Sequence, residues 1–282
     1  MENVKAIRAW LTIEAEEPIA TFTGQLVKTL LYTLNREIRL LHGMRGIISP
    51  IHISPLFTPG RRFHELGTLV TPLYRYNKNV RAYELDPIKL NGEYVIHIGG
   101  DASLIDLVSK SLARLRSSLM LKYTDNIVTF KLEKIEDVTS HISRKNLDSD
   151  KITLYLKGPV KPFNVIAPSR LPKFSISSYE ILITGYMYFK RVYTLTYHEV
   201  VNAMRILGLL VETYYSLNTV KPVLIPYKGK EPAMIGKITY IVDTNKPEEK
   251  QTLNKILNIA EITGTGESRS NGFGTVTWIT KT

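Results

Sequence analysis

The chain nears its end with Gly264-Thr265-Gly266-Glu267-Ser268-Arg269-Ser270-Asn271-Gly272-Phe273-Gly274, followed by the strand-like run Thr275 to Ile279. Four glycines in eleven residues let this loop bend where other residues do not. Glycine reaches positive φ cheaply and admits a second backbone close by. The loop's N–H groups, expected to be exposed, its serine hydroxyls and Arg269 are donors that suit a phosphate. Two familiar phosphate loops do not fit. A Walker loop ends in Gly-Lys-Ser/Thr, and a dinucleotide fingerprint opens a helix after a strand. Here the last glycine opens a strand.

Working outward from the loop, residues 4 to 14 alternate, with Ile7, Ala9, Leu11 and Ile13 on one face, which predicts a strand. A helix is expected from about Thr23 to His42, stopped by Gly43, with Leu26, Leu30, Leu34, Ile38 and Leu41 buried. Ile47 to Phe57 reads as a strand, Thr68 to Leu85 as a hairpin turning at Asn77-Lys78-Asn79, and Tyr94 to Ile98 as a further strand. Asp101 caps a second helix to about Leu119, and Ile127 to Val138 returns as a strand. The polar stretch Thr139 to Asp150 marks a boundary, giving units of 1–142 and 143–282.

In the second unit Lys151 to Leu156 is a strand, and Ser177 to Tyr193 reads equally as a short helix or a buried strand. Thr196-Tyr197-His198-Glu199 is a capping box opening a helix to about Leu217. Strands Val220 to Tyr227 and Met234 to Val242 follow, and Asn245 and Pro247 start a last helix ending near Ala260. Each half therefore reads β-α-β-β-α-β. The fold class is α+β, with tandem ferredoxin-like (RRM-like) domains built on antiparallel sheets.

The 282 residues carry 37 Lys and Arg against 26 Asp and Glu, a net charge of +11 that favours a polyanionic partner. A membrane surface attracts the same charge, yet no apolar run reaches spanning length and the charged start Met1 to Lys5 does not read as a signal peptide. A soluble, cytoplasmic protein without a membrane partner is expected. With no cysteine, disulfides, thiolate metal sites and a cysteine nucleophile are excluded. Residues 40 to 83 hold Arg45, Arg61, Arg62, Arg75, Lys78 and Arg81 against the single Glu65, interleaved with Tyr74, Tyr76 and Tyr83. Cations for phosphates and rings for unstacked bases suit single-stranded RNA. A second basic stretch runs from Arg144 to Lys173.

At 100° per residue, Lys28, Tyr32, Asn35, Arg39 and His42 form one stripe opposite the leucines of the first helix. RNA is cut without metal when its own 2′-OH attacks the adjacent phosphate, which needs a base, an acid and a cation. His42 suits the proton transfer. Lys28 or Arg45 suits the transition-state charge, and Tyr32 can orient or protonate. His52 on the following strand is the rival histidine. No HxxxH spacing or acidic cluster marks a metal site, although a pairing of His42 with His52 stays open; no cofactor is expected.

Tandem halves closing in a GxGxxxxxGxG loop before the last strand resemble the CRISPR-associated RAMP superfamily, and most of all its endoribonucleases that process CRISPR repeat transcripts. The resemblance implies RNA contact by Gly264, Gly266, Ser268, Arg269, Ser270, Gly272 and Gly274. Arg39 of the helix stripe and Arg61 and Arg62 of the basic cluster extend that surface. It implies a histidine near the end of the first helix, matched by His42, a tyrosine earlier on it, matched by Tyr32, and a lysine shortly after. That lysine is missing: none occurs between His42 and Lys78, and Arg45 is the nearest cation. Members without the histidine rely on lysines, which Lys28 resembles. The implied activity is metal-independent cleavage of CRISPR repeat RNA, single-stranded or weakly structured, into guide RNAs with a 2′,3′-cyclic phosphate. A CRISPR effector complex and a homodimer are further partners the resemblance admits. The alternative is a non-catalytic RAMP subunit that binds CRISPR RNA. Both readings require the glycine loop and the first helix to lie side by side.

Overall fold

The computed structural model describes residues 3–38, 49–61, 65–163, 174–192 and 195–280. Strand β1 (Val4–Ala15) buries Ile7, Ala9, Leu11 and Ile13 on one face, as its alternation requires. Helix α1 (Thr23–Leu34) lays Leu26, Val27, Leu30 and Leu31 on that face. There follow β2 (Ile51–Ile53), β3 (Leu56–Pro59), β4 (Leu66–Val70), β5 (Leu73–Asn77), β6 (Ala82–Asp86) and β7 (Asn91–Asp101). Helix α2 (Ala102–Leu112), β8 (Leu119–Tyr123), β9 (Asn126–Asp137) and the short α3 (Thr139–Ser143) close the first half.

The second half runs β10 (Lys151–Val160), α4 (Ser178–Lys190), α5 (Tyr197–Leu207), β11 (Leu210–Glu212), β12 (Val220–Pro226), β13 (Lys230–Val242), α6 (Pro247–Thr263) and β14 (Val276–Thr280). One sheet has the order β4-β3-β7-β1-β9-β8, with β2 also on β7. The other has the order β14-β10-β13-β12-β5-β6, with β11 on β13. All pairings are antiparallel, and each sheet has its own core under its helices.

Several expectations change. The helix from Thr23 ends at Leu34 because Asn35 turns extended, with φ −153° and ψ 115°. Its side-chain oxygen accepts from Glu37 N at 2.9 Å and its amide donates to Ser111 Oγ at 3.1 Å, the local competition that makes asparagine a helix breaker. The helix is therefore not continuous to His42. The run Ile47 to Phe57 divides at Ser54-Pro55 into β2 and β3. The expected helix to Leu119 stops earlier, and β8 takes its place beside β9. Asp101 stands at the start of α2 but makes no capping hydrogen bond. The undecided stretch after Ser177 is helix α4. The Thr196 cap forms, its hydroxyl accepting from Glu199 N at 3.3 Å, but α5 ends at Leu207. The hairpin turn near Asn77 is present, yet β4 pairs with β3 while β5 and β6 extend the other half's sheet through Leu224↔Tyr74.

The two halves meet along α6. Ile259 and Ile262 pack with Val4, Ala6, Val138 and Ile142 of the first half. The buried Glu261 accepts from Lys145 Nζ at 2.6 Å and from Trp278 N at 3.2 Å, so its charge is compensated within the joint. Among the described residues no helix is long and apolar enough to cross a membrane.

Helix α1 reaches the glycine loop through Gly24, where a Cβ would lie 2.5 Å from Gly272 Cα and 2.7 Å from the Asn271 carbonyl oxygen. In an open helix Gly→Ala stabilises by about 1 kcal/mol. Gly24→Ala should instead destabilise by about 1–3 kcal/mol, the cost of overpacking. A urea midpoint at or above wild type would show that this approach is not tight.

Candidate functional site

The glycine loop is a buried, internally bonded turn. Gly264, Gly266, Ser268, Gly272 and Gly274 all have positive φ. At Gly264 a Cβ would sit 2.5 Å from His52 Nδ1, so any side chain there would displace the histidine. Thr265 N donates to Gly274 O at 2.9 Å, Glu267 N to Lys161 O at 2.9 Å, and Gly274 N to Pro159 O at 2.8 Å. Thr265 Oγ1 donates to Ile181 O. These amides are engaged by protein, contrary to the expectation of a loop whose N–H groups face solvent. Within it Glu267, Ser268 and Asn271 are partly exposed, while Ser270 is buried.

Arg269 also departs from its expected role. It is 3% exposed. Its guanidinium donates to Thr263 O at 2.6 Å and Ser49 O at 2.7 Å, and lies 5.1 Å from the Tyr188 ring centroid. Tyr188 Oη donates to the same Ser49 carbonyl at 2.8 Å. An arginine saturated in this way ties α6, α4 and the segment before β2 together; it is not presented to a phosphate.

His52 is fully buried. Its Nδ1 faces Arg269 O at 3.2 Å and its Nε2 faces Thr275 Oγ1 at 3.2 Å, which the neutral Nδ1–H tautomer satisfies. Burial, then His97, then Arg269, hold its pKa well below the usual 6.5. His97 is its neighbour, with ring centroids 5.8 Å apart. Its Nε2 meets Ile262 O at 3.1 Å, and burial followed by Arg8 lowers its pKa to about 3. The rival catalytic histidine is thus a neutral element of the joint, without access to a substrate.

What the structure does bring together is α1 and the loop's outer edge. Lys28 Nζ donates to Asn271 Oδ1 at 2.6 Å and stands 5.3 Å from the Tyr32 ring centroid. Burial, then the charge of Lys228, keeps the Lys28 ammonium below the usual lysine value. Tyr32 is half-buried against the first core. Lys161 pairs with Glu231 and lies 5.8 Å from the Phe273 ring centroid on the same flank. Such a site can hold an anion: a half-buried ammonium beside a second lysine gains when a phosphate relieves their repulsion. Asn271, Lys161 and Lys228 were not singled out in the sequence: Asn271 sits unremarked in the glycine loop, Lys161 in the second basic stretch and Lys228 in a turn.

Arg61 is exposed but is not near Lys28. It lines a groove with Trp10, Glu93, Glu133 and Lys134, on the face of the first sheet opposite α1. Arg39, His42, Arg45 and Arg62 lie outside the described residues.

By fold the chain is an α+β protein of two antiparallel sheets with helices, consistent with tandem ferredoxin-like domains, the architecture of CRISPR-associated RAMP proteins. No family model and no curated protein matches it. Solved structures do. A Thermus thermophilus Cas6 in a product complex is 13% identical with a TM-score of 0.64, covering 99% of this chain and 100% of its own. The product of a Cas6-related gene from Pyrococcus furiosus is 11% identical with a TM-score of 0.57, over 99% and 100%. A RAMP protein binding different RNA substrates is 11% identical with a TM-score of 0.55, over 98% and 99%. At such identities the likeness is one of fold.

The buried histidines set a pH dependence. Unfolded, they take up protons near 6.5; folded, His97 does so only at about 3 and His52 well below 6.5. The unfolded state therefore binds more protons on acidification. Their contribution is complete above 6.5 and is lost as pH falls below it, at about 1.4 kcal/mol per pH unit for each histidine. Denaturant unfolding from neutral to acid pH should show this slope, and His97→Gln should remove one histidine's share of it. A profile unchanged by that substitution would count against neutral burial.

Proposed function

We propose that the protein is a metal-independent endoribonuclease that cuts CRISPR repeat transcripts into guide RNAs. The observation that carries this reading is the direct contact of α1 with the glycine loop, through Lys28 and Asn271. It sets a half-buried ammonium, a phenol and a second lysine at one edge of a fold shared with Cas6 structures over nearly the whole chain. Each unit, 1–142 and 143–282, supplies one wall of this edge.

In the proposed step the 2′-oxygen of the nucleotide before the cut attacks the adjacent phosphorus, and the bond from phosphorus to the 5′-oxygen breaks. His42 takes the 2′-OH proton, and an acid returns a proton to the 5′-oxygen; Tyr32, whose hydroxyl is buried, orients Lys28. Lys28, with Arg45, balances the charge on the phosphorane. The products are a 2′,3′-cyclic phosphate and a 5′-hydroxyl, and no metal enters the balance.

A second reading is a non-catalytic RAMP subunit that holds CRISPR RNA. It is favoured by the burial of His52, which removes the rival histidine from contact with a substrate, and by the missing lysine after His42. Labelled repeat RNA incubated in EDTA separates the two. A cutter yields cyclic-phosphate product that a 2′-deoxy substitution at the cut site abolishes. His42→Ala should slow cleavage by about 10²–10⁴-fold and Lys28→Ala by about 10²–10³-fold. Tight binding without product, unchanged in His42→Ala, would replace the first reading with the second.

A further inference from the structure

The hairpin β5–β6 is made by the first half but forms the outer edge of the second half's sheet, joined through Leu224↔Tyr74. Its register divides it into two unlike faces. Tyr74 and Tyr76 lie on one face with their partners Leu85 and Tyr83, whereas Arg75 and Asn77 share the other with Glu84 and Asp86. On the first face Tyr76 and Tyr83 are 53% and 48% exposed, their rings edge to face at 5.3 Å. Lys230 leans over this face, 5.1 Å from the Tyr74 ring centroid and 3.5 Å from Tyr83 O. Lys78 and Arg81 are exposed at the tip. On the opposite face the charges are mutually engaged: Arg75 pairs with Asp86 at 3.1 Å, and Glu84 accepts from Asn77 at 2.7 Å.

The β12–β13 turn links the tyrosine face to the site at Lys28. Lys230 shares this turn with the exposed Lys228, which lies 5.6 Å from the centroid of the Tyr227 ring, and Tyr227 packs on Phe22, just before α1, and on Phe273 of the loop. A row of cations thus leads from α1 over the β12–β13 turn to two half-exposed rings. Exposed rings flanked by cations, with the carboxylates on the far face, fit a strand of unpaired nucleotides: phosphates follow the lysines and bases stack on tyrosine.

We propose that this face of the hairpin is a second, single-strand RNA site. Tyr76 and Tyr83 stack unpaired bases, while Lys228, Lys230, Lys78 and Arg81 hold the phosphates of the strand leaving the Lys28 site. The proposal rests on RNA being the ligand at Lys28, but not on its being cut there.

The test is an anisotropy titration with a labelled repeat RNA and with the same RNA extended by unpaired uridines at the 5′ or the 3′ end. Wild type should bind one extended RNA more tightly than the short one. Tyr76→Ala with Tyr83→Ala should lose about tenfold or more of that gain while binding the short RNA as wild type does. The Phe substitutions at both positions should retain the gain, since stacking needs only the ring. Arg75→Ala, on the opposite face, should change little, and Lys228→Ala with Lys230→Ala should flatten the salt dependence for the extended RNA. The proposal is overturned if wild type gains nothing from either extension, if the Tyr double variant loses equally on both RNAs, or if sedimentation shows the tyrosine face instead joining two copies of the chain. A protein that binds the extended RNA through Tyr76 and Tyr83 yet never cuts would overturn the nuclease reading alone; one that cuts but ignores the extension would overturn only the hairpin site.

Discussion

One buried guanidinium holds the rest in place. Arg269 reaches Thr263 at the C-terminal end of α6, where helical carbonyls lack partners and a cation is favoured by the helix dipole. It also reaches Ser49 ahead of β2 and the face of Tyr188 in α4. Arginine suits this because its planar fork donates in several directions and stacks on a ring at once. Removing it would take a donor from the Thr263 carbonyl and leave the Ser49 carbonyl to Tyr188 alone. Its own carbonyl receives His52 Nδ1, so the loop backbone is held from the first half as well. The glycine loop is accordingly a rigid piece of the interface, presenting only Glu267, Ser268 and Asn271 outward.

That rigidity gives the neighbouring charge its value. Lys28 is half-buried beside Lys228, an arrangement that costs stability in the free protein because burial and like charge both oppose the ammonium. Lys161 on the same flank is matched by Glu231 and approached by Glu267. At the outer edge of α1 a phosphate would relieve the repulsion between Lys28 and Lys228. Because Lys28 is fixed to Asn271, that site moves with the loop. Stability and the proposed anion binding meet at the same few residues.

The fold was largely legible and the site only partly so, for physical reasons that differ. Alternation in β1, the Thr196 cap and the glycine loop before β14 are local signals, written in neighbouring residues. The destination of β5–β6 is not local: its alternation is that of any hairpin, and only Leu224↔Tyr74 determines which sheet receives it. The break at Asn35 depends on Ser111, from the next helix, accepting the amide. The loop was legible as a place where backbones approach closely, but not which backbones. Arg269 and His52 carry the residue types of an active site, yet burial assigns them to the joint, and burial is a property of the whole fold. Asn271 and Lys228 matter because of what lies against them, which no spacing along the chain encodes.

The glycine pattern then has a reason independent of phosphate binding. Gly24 and Gly272 face each other across the helix–loop contact, and Gly264 faces the ring of His52. Contacts of this kind put main chain against main chain, or against a ring fixed by hydrogen bonds at both nitrogens. Side chains relax by changing rotamer; backbones in contact cannot. A displacement of α6 or the loop is therefore passed to α1 with little attenuation, and to any phosphate held at Lys28. Such contacts give Lys28 a well-defined position. Under the proposed function, substitutions far from Lys28, at the joint, therefore alter the chemistry as surely as those within it.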